Sequence, residues 1–295
     1  MTHGSTPLPT ASTDSFTARA DAPEALAFDS LPDAPPEGER WSTWDGAAHG
    51  PTPRPAWVIT ELAAVDAELG VLKTGKEADV HIVRRWLPDG TDHPSRDVLM
   101  AAKRFRPGER RLFHRDAGYL EGRKVRRSRE MRAMAKRTSF GKQLVAGQWA
   151  GAEFHALSEL HQLGLPVPYP VQLDGTEMLM EFIGGPDGVA APRLATARPS
   201  RPLLHDLREQ LYAALTTLAE HGWAHGDLSA YNILLDGDRL VIIDWPQIVD
   251  IIGNPQGFDF LHRDCVNICG WFTSHGLELD PELLFADLVA AATSS

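Results

Sequence analysis

The chain has 295 residues, 43% of them hydrophobic, and a formal net charge of -11 at pH 7. This length and composition fit one large domain or two lobes with a buried core, and the acidic balance argues against a protein that coats nucleic acid through its overall charge. No apolar run could span a bilayer and the N-terminus lacks a signal-peptide pattern, so we expect a cytoplasmic protein that does not associate with a membrane.

The first 55 residues differ in composition from the rest of the chain. They hold nine of the 22 prolines, many Ser, Thr and Ala residues, and few large apolar side chains. Such a segment buries too little apolar surface to offset the entropy that is lost on ordering. We therefore predict a disordered, mildly acidic tail over residues 1–55, an N-terminal lobe over 56–183 and a C-terminal lobe over 184–295.

Strand patterns dominate the first part of the structured chain. A short helix that leads into a strand ending near Leu72 is followed by strands in "DVHIVRRW" and "DVLMAAKRFR". The segment 106–148 is basic and poor in apolar periodicity, which predicts a flexible loop. A helix over about 149–164 follows, and then a hairpin with Asp174-Gly175 at its turn.

Helix patterns dominate the second part. The stretch "LLHDLREQLYAALTTLAEHG" is amphipathic and ends at Gly222, and a second hairpin turns at Asp236-Gly237. Two further helices are predicted over about 258–275 and 281–292. Strands followed by helices in this order predict an α+β fold, with a small β-rich N-lobe before a helical C-lobe.

The stretch "GVLKTGKEADV" at 70–80 has the spacing of a phosphate-binding P-loop. Gly70, Gly75 and Lys76 match the GxxxxGK pattern, but Glu77 stands where a Ser or Thr hydroxyl would bind magnesium. A strand-like segment follows, whereas a P-loop precedes a helix. We therefore interpret the turn at Gly75 and Lys76 as a glycine loop that lies over a triphosphate.

The densest polar motif is "HGDLSAYNILL" at 225–235, followed by "IIDW". It places Asp227, then Asn232 five residues later, and then Asp244 after a second apolar strand. Oxygen donors of this kind suit Mg²⁺ that protein and phosphates bind jointly. The spacing is that of a kinase catalytic loop, in which the Asp accepts the proton of the substrate hydroxyl. The competing interpretation is a pair of hairpin turns with ordinary capping residues.

The order of the remaining polar residues also fits a kinase. A kinase needs a glycine loop, a strand Lys, a helix Glu, a hinge and then the catalytic loop. The chain supplies Gly75, Lys103 in "MAAKRF", Glu153 in "WAGAEF", the segment "MLMEFI" at 178–183, and Asp227.

Together these motifs resemble the RIO atypical serine/threonine kinases, in particular their first subfamily as found in bacteria. The resemblance covers roughly 65–293 and rests on "KTGKEADV", "HGDLSAYNILL", "IIDWPQIV" and "FLHRDCVNICGWF". It implies a protein-kinase-like bilobal fold without a long activation loop, and the use of ATP and Mg²⁺. This chain departs from the family pattern at Lys73 and His81, where the family usually has Ser and an aromatic residue, and at Trp245, where a small residue is common.

The resemblance also implies roles for single residues. Asp227 would be the catalytic base, and Asn232 and Asp244 would be the metal ligands. In this family the metal-binding Asp can also become a transient aspartyl phosphate, so Asp244 is a candidate phosphoryl acceptor. An ATPase-driven switch is therefore as consistent with the motifs as a protein kinase.

The nucleotide contacts that the resemblance implies lie mostly in the N-lobe. Lys103 would contact the α- and β-phosphates and pair with Glu153. The backbone of Glu181 and Ile183 would hydrogen-bond adenine, with Met180 behind the base.

A positive segment interrupts the acidic chain between Lys103 and Lys142. It contains 15 Lys and Arg residues against four Asp and Glu residues. Such a segment can be a solvated loop, an arm that binds rRNA or a ribosomal particle through phosphates, or a docking site for a protein substrate. The sequence does not identify the protein substrate, and we expect a monomer.

Other classes of protein share part of these motifs. Small-molecule phosphotransferases of the aminoglycoside and choline kinase type share "HGDL…N" and "IDW", and "GNPQGFDF" at 253–260 faintly matches their Asp-Pro pair. They usually carry a larger helical insertion for the substrate, for which this C-lobe has little room. A catalytically silent scaffold would have lost at least one polar role, and none is missing here.

Overall fold

The computed structural model describes residues 35, 39–88, 97–107, 139–245 and 248–294. Most of the predicted tail and most of the predicted basic loop lie outside these residues, and both predictions stay predictions there. From Pro35 onward the chain forms one compact unit. None of the helices in the described ranges combines the length and the apolar character that crossing a membrane requires.

A seven-stranded antiparallel sheet forms the first half of this unit. Its strand order is β1-β3-β4-β5-β7-β6-β2, so two short strands from the start of the chain form its two edges. The hairpin predicted at Asp174-Gly175 is confirmed as the connection of β6 and β7. The strands are β1 Glu39–Trp41, β2 Ala48–His49, β3 Val65–Thr74, β4 Ala78–Trp86, β5 Asp97–Phe105, β6 Pro170–Asp174 and β7 Glu177–Glu181.

The two faces of this sheet have different partners. Side chains alternate between the faces of a strand, and on β5 Met100 and Ala102 belong to a buried apolar cluster with Trp44. Lys103, one position further, is hydrogen-bonded to a residue of the first helix instead. One face of the sheet is therefore covered by the start of the chain, and the other faces the helices.

Four α-helices and two small strand pairs lie in the described remainder of the chain. The prediction of an α+β fold with a kinase-like division into a strand-rich and a helical part is confirmed. The helices are α1 Ser139–Gln162, α2 Arg201–Glu220, α3 Gly257–Ser274 and α4 Pro281–Thr293. The strand pairs are β8 Trp223–Ala224 with β11 Val249–Asp250, and β9 Ile233–Asp236 with β10 Arg239–Ile242.

Local sequence explains where α2 begins and ends. The hydroxyl of Ser200 accepts a hydrogen bond from the Leu203 N–H, and Pro202 lies in the first turn. Both features are typical of helix N-termini. Gly222 then adopts φ 72°, a left-handed conformation that suits glycine and ends the helix before β8.

Three boundaries differ from the sequence-based predictions. Residues 39–49, predicted to belong to the disordered tail, form β1 and β2 and bury Trp44, because aromatic residues supply apolar area that the proline-rich average conceals. The short helix predicted before β3 is absent from the described residues, which contain turns there. The loop predicted to reach residue 148 ends by Ser139, where α1 begins.

Candidate active site

Lys103 connects the sheet to a helix and to the second half of the unit. Its Nζ lies 2.5 Å from Glu153 Oε1 on α1 and 3.5 Å from Asp244 Oδ1 after β10. Burial by itself would lower the pKa of Lys103, but the carboxylates of Glu153 and Asp244 outweigh this and raise it. Lys103 therefore stays positively charged, as a residue that binds phosphates must.

Glu153 is almost completely buried, with 4% of its surface exposed. Burial raises the pKa of its carboxyl group, and the nearby Lys103 ammonium opposes that rise. A buried carboxylate without this partner would be costly, so the pair fixes α1 relative to β5.

The catalytic-loop motif begins with a buried histidine. The Asp227 N–H donates to His225 Nδ1 at 3.3 Å, so His225 Nε2 carries the proton and donates to the Ile243 carbonyl at 3.3 Å. The imidazole also packs on Trp245, with ring centroids 4.4 Å apart. Burial lowers the pKa of His225, and the neutral ring acts as a spacer between the loop and the strand that leads to Asp244.

Asp227, Asn232 and Asp244 are connected through the backbone. Asn232 Nδ2 donates to the Asp227 carbonyl at 2.9 Å, which leaves the Asn232 side-chain oxygen as an acceptor. The Ile243 N–H donates to the Asn232 carbonyl at 2.9 Å. Asp244 adopts φ 64°, a left-handed conformation that is uncommon for residues other than glycine and recurs at functional sites.

Side chains of helix α3 hydrogen-bond to the backbone of the loop that contains Asp227. The Asp264 carboxylate accepts hydrogen bonds from the N–H groups of Gly226 at 2.7 Å and Leu228 at 2.8 Å, one on each side of Asp227. Asn267 Nδ2 donates to the Leu228 carbonyl at 3.1 Å, and Arg263 donates to the Gly226 carbonyl. The position of the proposed base is therefore set by side chains of another element.

Burial raises the pKa of Asp264 to about 6, although its two backbone hydrogen bonds work in the opposite direction. The family resemblance rests in part on the segment that contains Arg263, Asp264 and Asn267, but no role was predicted for these three residues. The available signal was that Arg263 and Asp264 lie four and three residues before Asn267, the spacings that bring side chains together on a helix.

The glycine loop joins β3 to β4, so a strand follows it and the P-loop interpretation is excluded. The Gly75 N–H donates to the Ala78 carbonyl at 3.0 Å, and a Cβ at Gly75 would lie 2.9 Å from that oxygen. The tight turn therefore requires glycine. Gly75 and Lys76 line a cavity of about 570 Å³ together with Thr74, Arg106 and Pro107.

The segment predicted as the hinge, 178–183, comprises most of β7 and the two residues that follow it. The Glu181 N–H donates to the Tyr169 carbonyl at 2.8 Å, so the carbonyl of Glu181 is the backbone group that remains a candidate for adenine. The Ile183 carbonyl accepts from the Ala191 N–H at 2.9 Å, and the Ile183 N–H has no hydrogen-bond acceptor among the described residues. The backbone at Ile183 can therefore donate to a ligand.

Comparison with known proteins identifies a related family. The family model described as the RIO domain matches residues 111–284. This match includes Glu153, the hinge, the catalytic loop and Asp244, whereas Gly75, Lys76 and Lys103 precede it.

Curated proteins with similar sequences include kinases of this type. The RIO-type serine/threonine-protein kinase Rio1 of Haloferax volcanii is 28% identical over 221 residues, which are 75% of this chain and 68% of that protein. The serine/threonine-protein kinase RIO1 of Caenorhabditis elegans is 31% identical over 238 residues, 77% of this chain and 41% of that protein. The serine/threonine-protein kinase RIO3 of Bos taurus is 28% identical over 251 residues, 82% of this chain and 45% of that protein. This chain thus spans about two thirds of the first relative and less than half of the other two.

Proposed function

The chain belongs to the RIO domain family, and from this premise we propose that it transfers the γ-phosphoryl group of ATP to a serine or threonine hydroxyl of a protein. The observation that carries the proposal is the convergence of Lys103, Glu153 and Asp244, with 2.5 Å and 3.5 Å between Lys103 Nζ and the two carboxylates. Three segments far apart in sequence meet there in the order that a kinase requires.

The side chains described above would have different roles in this reaction. Lys103 would neutralise charge on the α- and β-phosphates, with Glu153 holding it in place. Asp227, held by α3 through Gly226 and Leu228, would accept the proton of the substrate hydroxyl. The N–H of Ile183 would hydrogen-bond the base of ATP.

Magnesium fits the donor set of this site. In the described part of the chain no group of three or more His, Cys, Asp or Glu side chains could hold a metal ion alone. Asn232 and Asp244 offer two oxygen ligands, which suits an ion that also binds phosphate oxygens. When bound, Mg²⁺ would offset the negative charge of the β- and γ-phosphates.

The direct test is incubation of the purified chain with ATP labelled in the γ-phosphate. Asp227→Ala and Asp244→Ala should each abolish transfer, and Asp227→Ala should largely retain nucleotide binding. Asp238→Ala is the matched control, because Asp238 is exposed at the turn between β9 and β10. Undiminished transfer in both site variants would refute the assignment.

The chemistry of the labelled product separates a kinase from an ATPase switch. A phosphate ester on serine or threonine is stable to hydroxylamine, whereas an acyl phosphate on Asp244 is cleaved by it. We expect ester label on protein substrates or on the chain itself. Label that hydroxylamine removes completely would instead favour turnover through an aspartyl phosphate.

We also propose that the basic segment 103–142 contacts a polyanion such as rRNA through phosphate groups. Its 15 Lys and Arg residues against four Asp and Glu residues support this. Binding through phosphates weakens steeply as salt concentration rises. A titration with an unstructured RNA at several salt concentrations tests it, and no binding or a flat salt dependence would refute it. The cytoplasmic location stays a prediction.

A further inference from the structure

Residues 39–59 form a strap that crosses the sheet from one edge to the other. Its strand β1 pairs with β3 and its strand β2 pairs with β6 at the opposite edge. Between them Trp44 is buried on the face that points away from Lys103, together with Met100 and Ala102. The strap precedes the region that matches the RIO domain.

The strap is fitted tightly to the segment that begins β6. Tyr169 is buried, and its hydroxyl donates to the Pro51 carbonyl at 2.8 Å. The Gly50 N–H donates to the Val171 carbonyl at 3.0 Å. A Cβ on Gly50 would lie only 1.8 Å from the Pro170 carbonyl oxygen, so no other residue fits there without moving the strap.

Tyr169 in turn holds the hinge residue Glu181 at two points. Its carbonyl accepts the Glu181 N–H at 2.8 Å, and its own N–H donates to Glu181 Oε2 at 3.0 Å. The backbone and the side chain of Glu181 are thus both bonded to the residue on which the strap rests. A shift of Tyr169 would therefore be passed to the start of the hinge.

We propose that the strap, acting through Tyr169, positions the hinge and so sets the affinity and the base selectivity for ATP. The inference rests on the proposed kinase function and deepens it. Selectivity for adenine depends on backbone hydrogen bonds, which weaken steeply when distance or angle departs from the optimum. Tyr169 is a positioning residue, since it acts through Glu181 and not on the nucleotide itself.

The test compares the binding of MgATP and MgGTP to the full chain by calorimetry, with turnover measured in parallel. Tyr169→Phe removes only the hydroxyl that reaches Pro51. We expect the Kd for ATP to rise about three- to tenfold, the range that corresponds to one hydrogen bond, with a smaller change for GTP. The kcat at saturating ATP should stay within about twofold, since the groups that act on the phosphates are untouched. Tyr212→Phe is the matched control, because Tyr212 is a half-buried tyrosine on α2.

Gly50→Ala tests the same idea from the strap side. It should reduce the preference for ATP over GTP in the same direction, and the double variant with Tyr169→Phe should show less than the sum of the two effects. Variants that melt at a lower temperature but bind both nucleotides like the wild type would overturn the proposal and leave the strap a structural element. A wild type that does not bind ATP would instead refute the proposed function.

Discussion

Asp264→Asn separates the stability of the fold from the position of the catalytic loop. The substitution keeps the shape of the side chain on α3 but replaces one carboxylate oxygen by an NH₂ group. That group then faces the N–H of either Gly226 or Leu228, both of which now donate to Asp264 at 2.7 and 2.8 Å. One hydrogen bond on a flank of Asp227 is lost, and two donors are brought together.

Two opposing terms determine the effect on stability. The pKa of Asp264 rises from 3.8 to about 6 on folding, so the ionised group costs about 3 kcal/mol at pH 7, and Asn removes this cost. That value already includes the two backbone hydrogen bonds, so the separate cost of Asn is the buried backbone N–H that its NH₂ group leaves without an acceptor, about 1–3 kcal/mol. The two terms nearly cancel, and we expect the free energy of unfolding to lie within about 1.5 kcal/mol of the wild type.

Activity should respond very differently, because a small displacement of Asp227 is sufficient to slow phosphoryl transfer. We expect kcat to fall about 10- to 100-fold. Urea unfolding and initial-rate kinetics on the same preparation measure both quantities, with Asp287→Asn as a control at an exposed position of α4. A loss of more than about 4 kcal/mol, which is roughly twice the expected hydrogen-bond term, together with normal kcat in the folded fraction, would refute the reasoning.

The pH dependence gives an independent check on Asp264. Because its folded-state pKa lies above the unfolded value, the folded protein binds the extra proton between about pH 4 and pH 6. Stability from this group is therefore present at the acidic end and is lost as the pH rises through 6. The wild type should gain up to about 3 kcal/mol relative to Asp264→Asn between pH 7 and pH 4. If the free energy of unfolding changed with pH equally in the wild type and in Asp264→Asn, the raised pKa of Asp264 would be contradicted.

Three further predictions concern the same site. Lys103→Met leaves the buried Glu153 without its partner and should lower the free energy of unfolding in urea by about 3–5 kcal/mol. The double variant Lys103→Met with Glu153→Gln should recover much of this stability but no activity. A double variant as unstable as the single one would contradict the prediction. Burial lowers the pKa of His225 below its ordinary 6.5, so its contribution to stability should be lost as the pH falls below that value, and thermal unfolding of His225→Gln should lack this dependence. Asp244→Gly places a glycine at a left-handed position and should stabilise the fold by about 1 kcal/mol while abolishing phosphoryl transfer. Denaturant unfolding measures the first effect and a labelled-ATP assay the second, and a less stable variant or a variant that still transfers phosphate would contradict the prediction.

The polar groups that meet at the site were largely predictable because their spacing follows from chemistry. Asp227 and Asn232 lie five residues apart on the loop between β8 and β9, and the turn of this loop brings the Asn232 side chain to the backbone carbonyl of Asp227. Lys103 was recognisable as a polar residue among apolar neighbours in a strand. What could not be predicted was the 3.5 Å contact between Lys103 and Asp244, since it depends on how the two halves pack.

The strap shows why average composition gave the wrong prediction for residues 39–49. A window average is dominated by Pro, Ser and Ala, whereas the ordering of 39–59 depends on a few contacts. Trp44 inserts into the apolar cluster of the sheet, and β1 and β2 pair with backbone groups at the edges of β3 and β6 that would otherwise have no partner strand. Neither β3 nor β6 is adjacent to the strap in the sequence, so local sequence patterns do not predict this strand pairing.

The connections around Ile243 indicate which parts of the site move together. Its N–H is bonded to the Asn232 carbonyl and its carbonyl accepts from His225, so both backbone groups before Asp244 are tied to the catalytic loop. The loop is itself held by Asp264 on α3. The proposed base and the proposed metal ligands are therefore connected by hydrogen bonds within the helical half, and we expect them to move together.

Lys103 and Glu153 form a second group with the sheet and α1, joined by the 2.5 Å ion pair, which we expect to move as one body. The two units meet at the looser 3.5 Å contact of Lys103 with Asp244, whose side chain is 39% exposed. A nucleotide whose phosphates lie between Lys103 and Asp244 would act at this contact. Lys103 would then interact with the phosphates and Asp244 with the metal ion, in place of their contact with each other. Closure of the site should therefore occur between the two units and not within either, with the backbone of the catalytic loop unchanged on nucleotide binding.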